Sequence, residues 1–201
     1  WDAFAQFGWS APESDAADLS LAIGAVCSSP LPGRPNDQWG VLAGVTEFAD
    51  DPAVYVNRLG STGGEESVLE AFYLISLPHG ITLSCRAAGA PDAPLVILLH
   101  GFPELAYSWR KVMLPLAQAG YHVIAPDQRG YRGSSKPQAV EAYTPDKLIG
   151  DIFLLADVLG IGSFTIVGHD WGGAIAWGVA LGGQHARVTR AIVANAPHPA
   201  I

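Results

Sequence analysis

Cysteine is nearly absent from this chain: Cys27 and Cys85 are the two in 201 residues, and they lie far apart. Two distant thiols make neither a disulfide framework nor a metal-ligand spacing, so they read as ordinary small side chains and no metal is expected. Positive charge is scarce as well. Lys and Arg total 11 against 19 Asp and Glu, a net charge of −8, which argues against nucleic acid or an anionic membrane surface as a partner. No run of eighteen apolar residues exists to form a transmembrane helix. The N-terminus has neither a basic nor an apolar signal region, so no signal peptide is visible. The chain opens on Trp1 rather than methionine, as a piece of a longer protein would.

What is present is a globular composition. The chain is 49% hydrophobic and 15% charged, too apolar for disorder over most of its length. Its length suits one core, or one domain with a substantial appendage.

Two textures divide it. Residues 1 to about 76 hold no convincing amphipathic helix but several stretches of period-two alternation. Over Asp18–Val26 the larger apolar residues take every second position, opposite Ser20, Ala22 and Gly24. Gln38–Ala49 alternates with Trp39, Val41, Ala43 and Val45 on one face, and Glu66–Ser76 with Leu69, Ala71, Tyr73 and Ile75. Turn-rich segments, Pro30–Asp37 and Leu59–Gly64, separate them. The pattern predicts antiparallel strands joined by turns. A half-buried sheet and a transmembrane barrel wall both alternate in this way, and alternation alone favours the sheet.

Three runs in this segment are similar to the C-terminal strands of carbohydrate-selective outer-membrane porins: Phe4–Trp9, Leu31–Gly40 and Glu65–Tyr73. The resemblance covers the first third of the chain. It implies a remnant of barrel wall, since a few strands cannot close a pore and leave unpaired edges.

From about Pro78 the texture becomes strand, helix, strand, helix. Ile81–Arg86 alternates as a strand. Leu95–Leu99 is a continuous apolar run, the mark of a strand buried on both faces of a parallel sheet. Trp109–Ala119 suits a helix, His122–Ala125 another buried strand. Thr144–Leu159 is a helix with Leu148, Ile152, Leu155 and Leu159 on one face, Thr144 at its N-cap and Gly160 after its end. Ser163–Val167 is a third buried strand, Gly172–Leu181 a small-residue helix and Val188–Ala194 a fourth strand. This alternation predicts an α/β fold with a doubly wound, mostly parallel sheet, preceded by the β-rich antiparallel segment. The domains expected are 1–76 and 77–201.

Between the third buried strand and the small-residue helix stands Gly168-His169-Asp170-Trp171-Gly172. Its form is that of a nucleophile elbow, a sharp strand-to-helix turn that lifts the central side chain above the sheet. In esterases and lipases that residue is serine; here it is Asp170. A carboxylate can displace at saturated carbon and leave an alkyl-enzyme ester, so epoxides and haloalkanes are the substrates it suits. The plainer reading is that Asp170 caps the following helix. His100-Gly101-Phe102-Pro103-Glu104 directly follows the Leu95–Leu99 strand. Backbone N–H groups of Phe102 and Trp171 are placed to form an oxyanion hole. His100 reads as a strand-end residue that holds its loop rather than as a base. Asp127-Gln128-Arg129-Gly130-Tyr131, with Ser134 behind, follows the next strand and is assigned no catalytic role.

These motifs, with Asn195–Pro199 after the last strand, resemble the epoxide hydrolase branch of the α/β-hydrolases. The resemblance covers residues 77–201 and rests on the order and spacing of four motifs. It implies a partial α/β-hydrolase fold, attack on an epoxide ring carbon by Asp170, N–H donors at Phe102 and Trp171, and His100, Gly101, Pro103, Gly168, His169 and Gly172 as supporting residues. The implied partner is a small-molecule epoxide or related electrophile, with no cofactor. Family members usually carry glycine or asparagine where Arg132 stands, which implies a tight turn. The related haloalkane dehalogenases commonly place asparagine at the position of Phe102, so the epoxide hydrolase is preferred.

In chain order the acid and the histidine follow the nucleophile, and the resemblance implies that the cap follows too, so all three are expected beyond residue 201. His169 is expected to point away from Asp170, and neither it nor His198 has an orienting partner visible in the sequence. Turnover by these residues alone is therefore not expected. The alternative in another class is a membrane-channel fragment, resting on the first third. A junction between two unrelated genes is expected near residues 70–80. A hydrolase of this type implies the cytoplasm, the porin-like part the outer membrane; oligomeric state is not legible.

Overall fold

The computed structural model describes residues 2–9, 17–28, 38–48 and 65–200, with the side chains of Gln38 and residues 74–200. Its contacts group into two compact units, Trp1–Phe72 and Tyr73–Ile201.

In the first unit β1 (Asp2–Trp9), β2 (Ala17–Ser28) and β3 (Gln38–Phe48) pair antiparallel. The β1 register runs from Asp2 opposite Val26 to Trp9 opposite Leu19. The β2 register starts with Ser28 opposite Gln38 and shifts between Ala17 and Leu19. Alternation alone did not single out Asp2–Trp9 as a strand. The turn-rich segments Pro30–Asp37 and Leu59–Gly64, and the expected facing of the side chains before Leu74, lie outside the described residues. Strand β2 has 12 residues and β3 has 11. Strands of globular proteins are commonly about 5–6 residues long, whereas a barrel strand crossing a membrane needs about 9–11.

In the second unit, Tyr73–Ser76 of β4 (Glu65–Ser76) pairs antiparallel with β5 (Thr82–Ala88). The sheet then runs β5, β7 (His122–Pro126), β6 (Leu95–Leu99), β8 (Phe164–His169), β9 (Val188–Ala194). Strand β5 is antiparallel to β7, and the last four strands are parallel to one another. Helices α1 (Arg110–Gln118), α2 (Pro145–Val158) and α3 (Trp171–Leu181) make the crossovers.

The apolar run of β6 feeds two cores because successive strand residues face opposite ways. Leu95, Ile97 and Leu99 join Ile152 and Leu155 of α2 and Ile175 and Val179 of α3. Val96 and Leu98 join Val123 and Ala125 of β7 and Met113 of α1 on the other face. This is the doubly wound, mostly parallel sheet expected. Strand β9 differs from its neighbours: it pairs with β8, and most of its residues are exposed.

Helix α2 shows how the chain terminates an element. Ile152 and Leu155 are buried, with Leu148 and Leu159 packed against the same core. Gly160 follows in the left-handed region, φ 71°, and the Ile161 N–H returns to the Ala156 carbonyl, which closes the last turn. Thr144 occupies the N-cap position, but its hydroxyl makes no cap to the helix and donates instead to the Glu141 carbonyl at 3.3 Å. The N-cap position is thus the expected one, while the Thr144 hydroxyl turns back to Glu141, in a 3-10 turn over Val140–Tyr143.

The carboxyl ends of β6 and β8 lie side by side. From one the chain crosses to β7 and from the other to β9, on opposite sides of the pair. In open α/β sheets such a divergence leaves a crevice where ligands bind.

Candidate active site

Asp170 sits in that crevice, between β8 and α3, at φ 53° and ψ −122°. A positive φ is costly for a residue with a Cβ, on the order of 1–3 kcal/mol, and persists where the surroundings enforce it. Here they do. The Asp170 N–H donates to the Ala194 carbonyl at 3.1 Å and the Asp170 carbonyl accepts from the Ala174 N–H at 3.0 Å. The side chain occupies the N-cap position of α3 yet makes no cap hydrogen bond. Its Oδ1 accepts the Phe102 N–H instead, at 2.8 Å. That N–H, and then that of Trp171, hold the Asp170 carboxyl below the ordinary carboxylate range.

The glycines of the motifs are there for close approach. A Cβ on Gly101 would lie 2.6 Å from the Asp170 Cβ and 2.8 Å from its Oδ1. One on Gly172 would lie 2.3 Å from the Leu99 carbonyl oxygen, and one on Gly168 would meet the Gly172 carbonyl oxygen at the same 2.3 Å. The first turn of α3 therefore rests directly on the backbone of β6 and β8. The N–H groups of Phe102 and Trp171 serve the carboxylate, and both residues are largely exposed, at 66% and 64%. A cis peptide bond joins Phe102 to Pro103.

His100 is fully buried. Its Nε2 accepts the Gln128 N–H at 3.0 Å, which leaves the proton on Nδ1, and Nδ1–H donates to the Gly101 carbonyl at 2.9 Å. The Gln128 side chain returns to the His100 carbonyl at 2.6 Å. Burial lowers the His100 pKa, opposed by the Gly101 bond and by Asp127 and Glu104. The second loop is held as tightly. Asp127 is buried, and its Oδ1 accepts the Ala106 N–H at 2.8 Å. The Ser134 hydroxyl donates to the Asp127 carbonyl at 2.5 Å and accepts the Ser84 N–H at 2.9 Å. Arg129 grips Asp151 of α2 through two hydrogen bonds, at 2.5 and 2.9 Å. Arg132 takes φ 34°, the tight turn implied by the residue types expected there.

Two partners were not legible in the sequence. The His169 Nδ1 lies 3.6 Å from the Glu104 Oε2, so this histidine has an acidic neighbour, contrary to expectation. His198 packs edge-on against Trp177, ring centroids 4.6 Å apart, and its Nδ1 accepts the Ala200 N–H at 3.2 Å. The succession of elements along the chain can be read from a sequence, but which side chains meet at the ends of two strands cannot. Tyr131 also enters here. Its ring stands edge-on to His100 at 4.6 Å, and burial raises its pKa, with the Asp170 charge adding to the effect. A broad hollow of about 760 Å³ lies at the other end of the strands, among Pro94, Tyr121, Thr165 and Arg190. It is remote from Asp170 and faces the amino ends of the strands, where no catalytic group converges. Among the described residues no group of His, Cys, Asp and Glu is placed to hold a metal ion, and no helix is long and apolar enough to cross a membrane.

A strained strand-to-helix turn at the switch point of a doubly wound sheet, with a carboxylate on a loop N–H, is the architecture of one enzyme class. Residues 94–201 match the family described as the alpha/beta hydrolase fold, and the chain belongs to that family. Within it, several of the relatives are named epoxide hydrolases. Epoxide hydrolase A of Mycobacterium tuberculosis is 54% identical over 103 residues, 51% of this chain and 32% of that protein. The AB hydrolase superfamily protein YfhM of Bacillus subtilis is 47% identical over 121 residues, 60% of this chain and 42% of that protein. Among solved structures, an epoxide hydrolase from metagenomes of hot environments is 69% identical with a TM-score of 0.61, covering 65% of this chain and 43% of its own. Epoxide hydrolase A of Mycobacterium thermoresistibile is 45% identical with a TM-score of 0.58, covering 61% and 38%. The chain thus spans less than half the length of each of these relatives. Residues 1–85 match the carbohydrate-selective porin family, OprB, as the strand runs implied.

Proposed function

We propose that residues 77–201 carry the nucleophile half of an epoxide-opening site, with Asp170 as the attacking group. The observation that carries this reading is the Asp170 carboxylate, turned from its own helix and held on the Phe102 N–H at 2.8 Å. With Oδ1 held, Oδ2 is the free nucleophile. It attacks a ring carbon, the carbon–oxygen bond of the ring breaks, and the ring oxygen takes a proton from water. The product is a hydroxyalkyl ester of Asp170. Hydrolysis places an oxyanion on Oδ1 when water adds to Cγ, and the Phe102 and Trp171 N–H groups are there to receive it. That second step needs a positioned base. His169 faces Glu104 and His198 faces Trp177, so these residues on their own stop at the ester.

The substrate is a small epoxide, and the chemistry calls for no cofactor because the side chain forms the covalent bond itself. A haloalkane substrate is less well served, since the Phe102 side chain offers no donor to a departing halide. The hydrolase segment is assigned to the cytoplasm as part of this reading. Residues 1–76 are proposed as a remnant of porin wall joined to the hydrolase segment; the OprB match and the 11- and 12-residue strands support this. Sequencing single long reads across codons 60–95 tests the join: two genes on separate reads would remove it.

Stoichiometry tests the chemistry. With styrene oxide in excess, one equivalent should be consumed per chain and little diol released afterwards. Sustained diol formation by the 201 residues contradicts arrest at the ester. An adduct that still forms in Asp170→Asn contradicts the nucleophile.

A further inference from the structure

The Phe102 N–H that holds Asp170 is one edge of a peptide group whose other edge is the Gly101 carbonyl. A trans peptide is planar, and its C=O and N–H point in opposite directions. Whatever fixes the carbonyl therefore aims the N–H. His100 fixes it. The Gln128 N–H on Nε2 at 3.0 Å forces the proton onto Nδ1, and Nδ1–H holds the Gly101 oxygen at 2.9 Å. On the far edge the N–H meets the Asp170 Oδ1 at 2.8 Å. Gly101 itself is no brake on rotation of this plane, having no Cβ.

The geometry points to His100 as a positioning residue: as the neutral Nδ1–H tautomer, locked by the Gln128 backbone, it aims the Phe102 N–H at Asp170. This role rests on the proposed nucleophile but adds a residue that does not touch the reacting atoms. The surroundings suit a neutral ring. It is fully buried, Tyr131 stands edge-on against it, and an imidazolium would point a second N–H at the Gln128 N–H. Asp127 and Glu104 are the charged groups that bear on it, and burial outweighs them.

Two substitutions separate aiming from mere packing. Asn places a side-chain NH₂ where Nδ1 stands, while Gln places an amide oxygen near Nε2. His100→Asn should keep the grip on the Gly101 carbonyl and lose the Gln128 contact; His100→Gln should do the reverse. Amide exchange of Phe102, followed by NMR in the full chain, should be about tenfold faster in His100→Gln and within about twofold of the parent in His100→Asn, the worth of one neutral hydrogen bond. The maximum rate of Asp170 alkylation by styrene oxide should drop in the same order, with the half-saturating concentration unchanged. Equal losses in the two variants, or a larger loss in His100→Asn, overturn the role. Imidazole nitrogen shifts in the unsubstituted protein test the tautomer without any variant: a proton on Nε2 overturns the role, a proton on Nδ1 supports it. Alkylation that survives in Asp170→Asn removes the nucleophile reading alone, because the Phe102 exchange comparison still judges His100.

Discussion

Asp170 combines a costly backbone conformation with a low-pKa carboxyl, and the two have one origin. The turn that forces φ to 53° also swings the carboxylate off its own helix and onto the Phe102 N–H. Because the Phe102 and Trp171 N–H groups depress the folded-state value, Asp170 stays ionised where an unfolded aspartate begins to protonate, at about pH 3.9. The stabilisation from this group is present above that pH and is lost as pH falls through the lower folded value. The alkylation rate should therefore be flat from neutral pH down to about pH 4, with its decline at more acid values. A pH–rate profile with a midpoint above that range contradicts the depressed carboxyl. The identity of Asp170 was legible because glycines bracket it between a buried strand and a small-residue helix. Its contact with Phe102, 68 residues away, was legible only through the two loop motifs read together and not from any local pattern. The facing of His169 and Glu104 was not legible at all, because His169 ends β8 while Glu104 lies in the loop that follows β6.

Arg129 and Asp151 show the opposite use of charge at this scale. Their side chains are 8% and 4% exposed, and the Arg129 fork also donates to the Ala142 carbonyl. Burial pushes the Asp151 carboxyl up, and the guanidinium beside it opposes that shift. Arg129→Ala leaves a buried carboxylate without its partner, at a cost of about 3–5 kcal/mol near neutral pH. With the partner gone, the folded-state carboxyl lies further above its unfolded value, so stability falls as pH rises between the two. Hydrogen exchange at the α2 amides should accordingly show a larger loss at pH 7 than at pH 5. A loss independent of pH would mean that Asp151 is not the group left stranded.

At the scale of elements, α3 against β6 decides whether the site exists. The helix is rich in small residues because its first turn lies on the β6 backbone, where a Cβ on Gly172 would fall 2.3 Å from the Leu99 oxygen and 2.5 Å from the His100 oxygen. The Leu99 oxygen belongs to the end of β6, and the His100 oxygen accepts the Gln128 side chain at 2.6 Å, so both are held. Gly172→Ala should therefore cost more than an ordinary overpacked core position, at or above about 3 kcal/mol. It should also abolish alkylation before it abolishes folding. Exchange protection in α3 and β6, read beside the alkylation rate, checks both. Full alkylation by that variant would show that α3 does not set the turn. The elements themselves were largely legible. The period of Leu148, Ile152, Leu155 and Leu159, with Gly160 after them, placed α2 to within a residue at each end. The continuous apolar runs placed β6 and β7, since both faces of those strands are covered. The 3-10 turns at Ala106–Trp109 and Val140–Tyr143 were not legible, being too short to show a period. Nor was the exposure of β9, which depends on what lies beside a strand rather than on its own residues.

For the whole molecule, two kinds of sheet stand in one chain. The long antiparallel strands of the first unit match a porin family, and the parallel sheet of the second matches the alpha/beta hydrolase fold. The first match ends at residue 85 and the second begins at 94, so no residue is claimed by both. Composition averaged over 201 residues hid this division, while hydrophobic periodicity exposed it. The central claim concerns the second unit, and mapping of the adduct tests it most directly. The chain is incubated with styrene oxide, digested, and the modified residue located by fragmentation mass spectrometry. The expected result is a single ester adduct on Asp170, released by hydroxylamine and absent from Asp170→Asn. An adduct on His169, Glu104 or any other residue, with Asp170 unmodified, would contradict the claim.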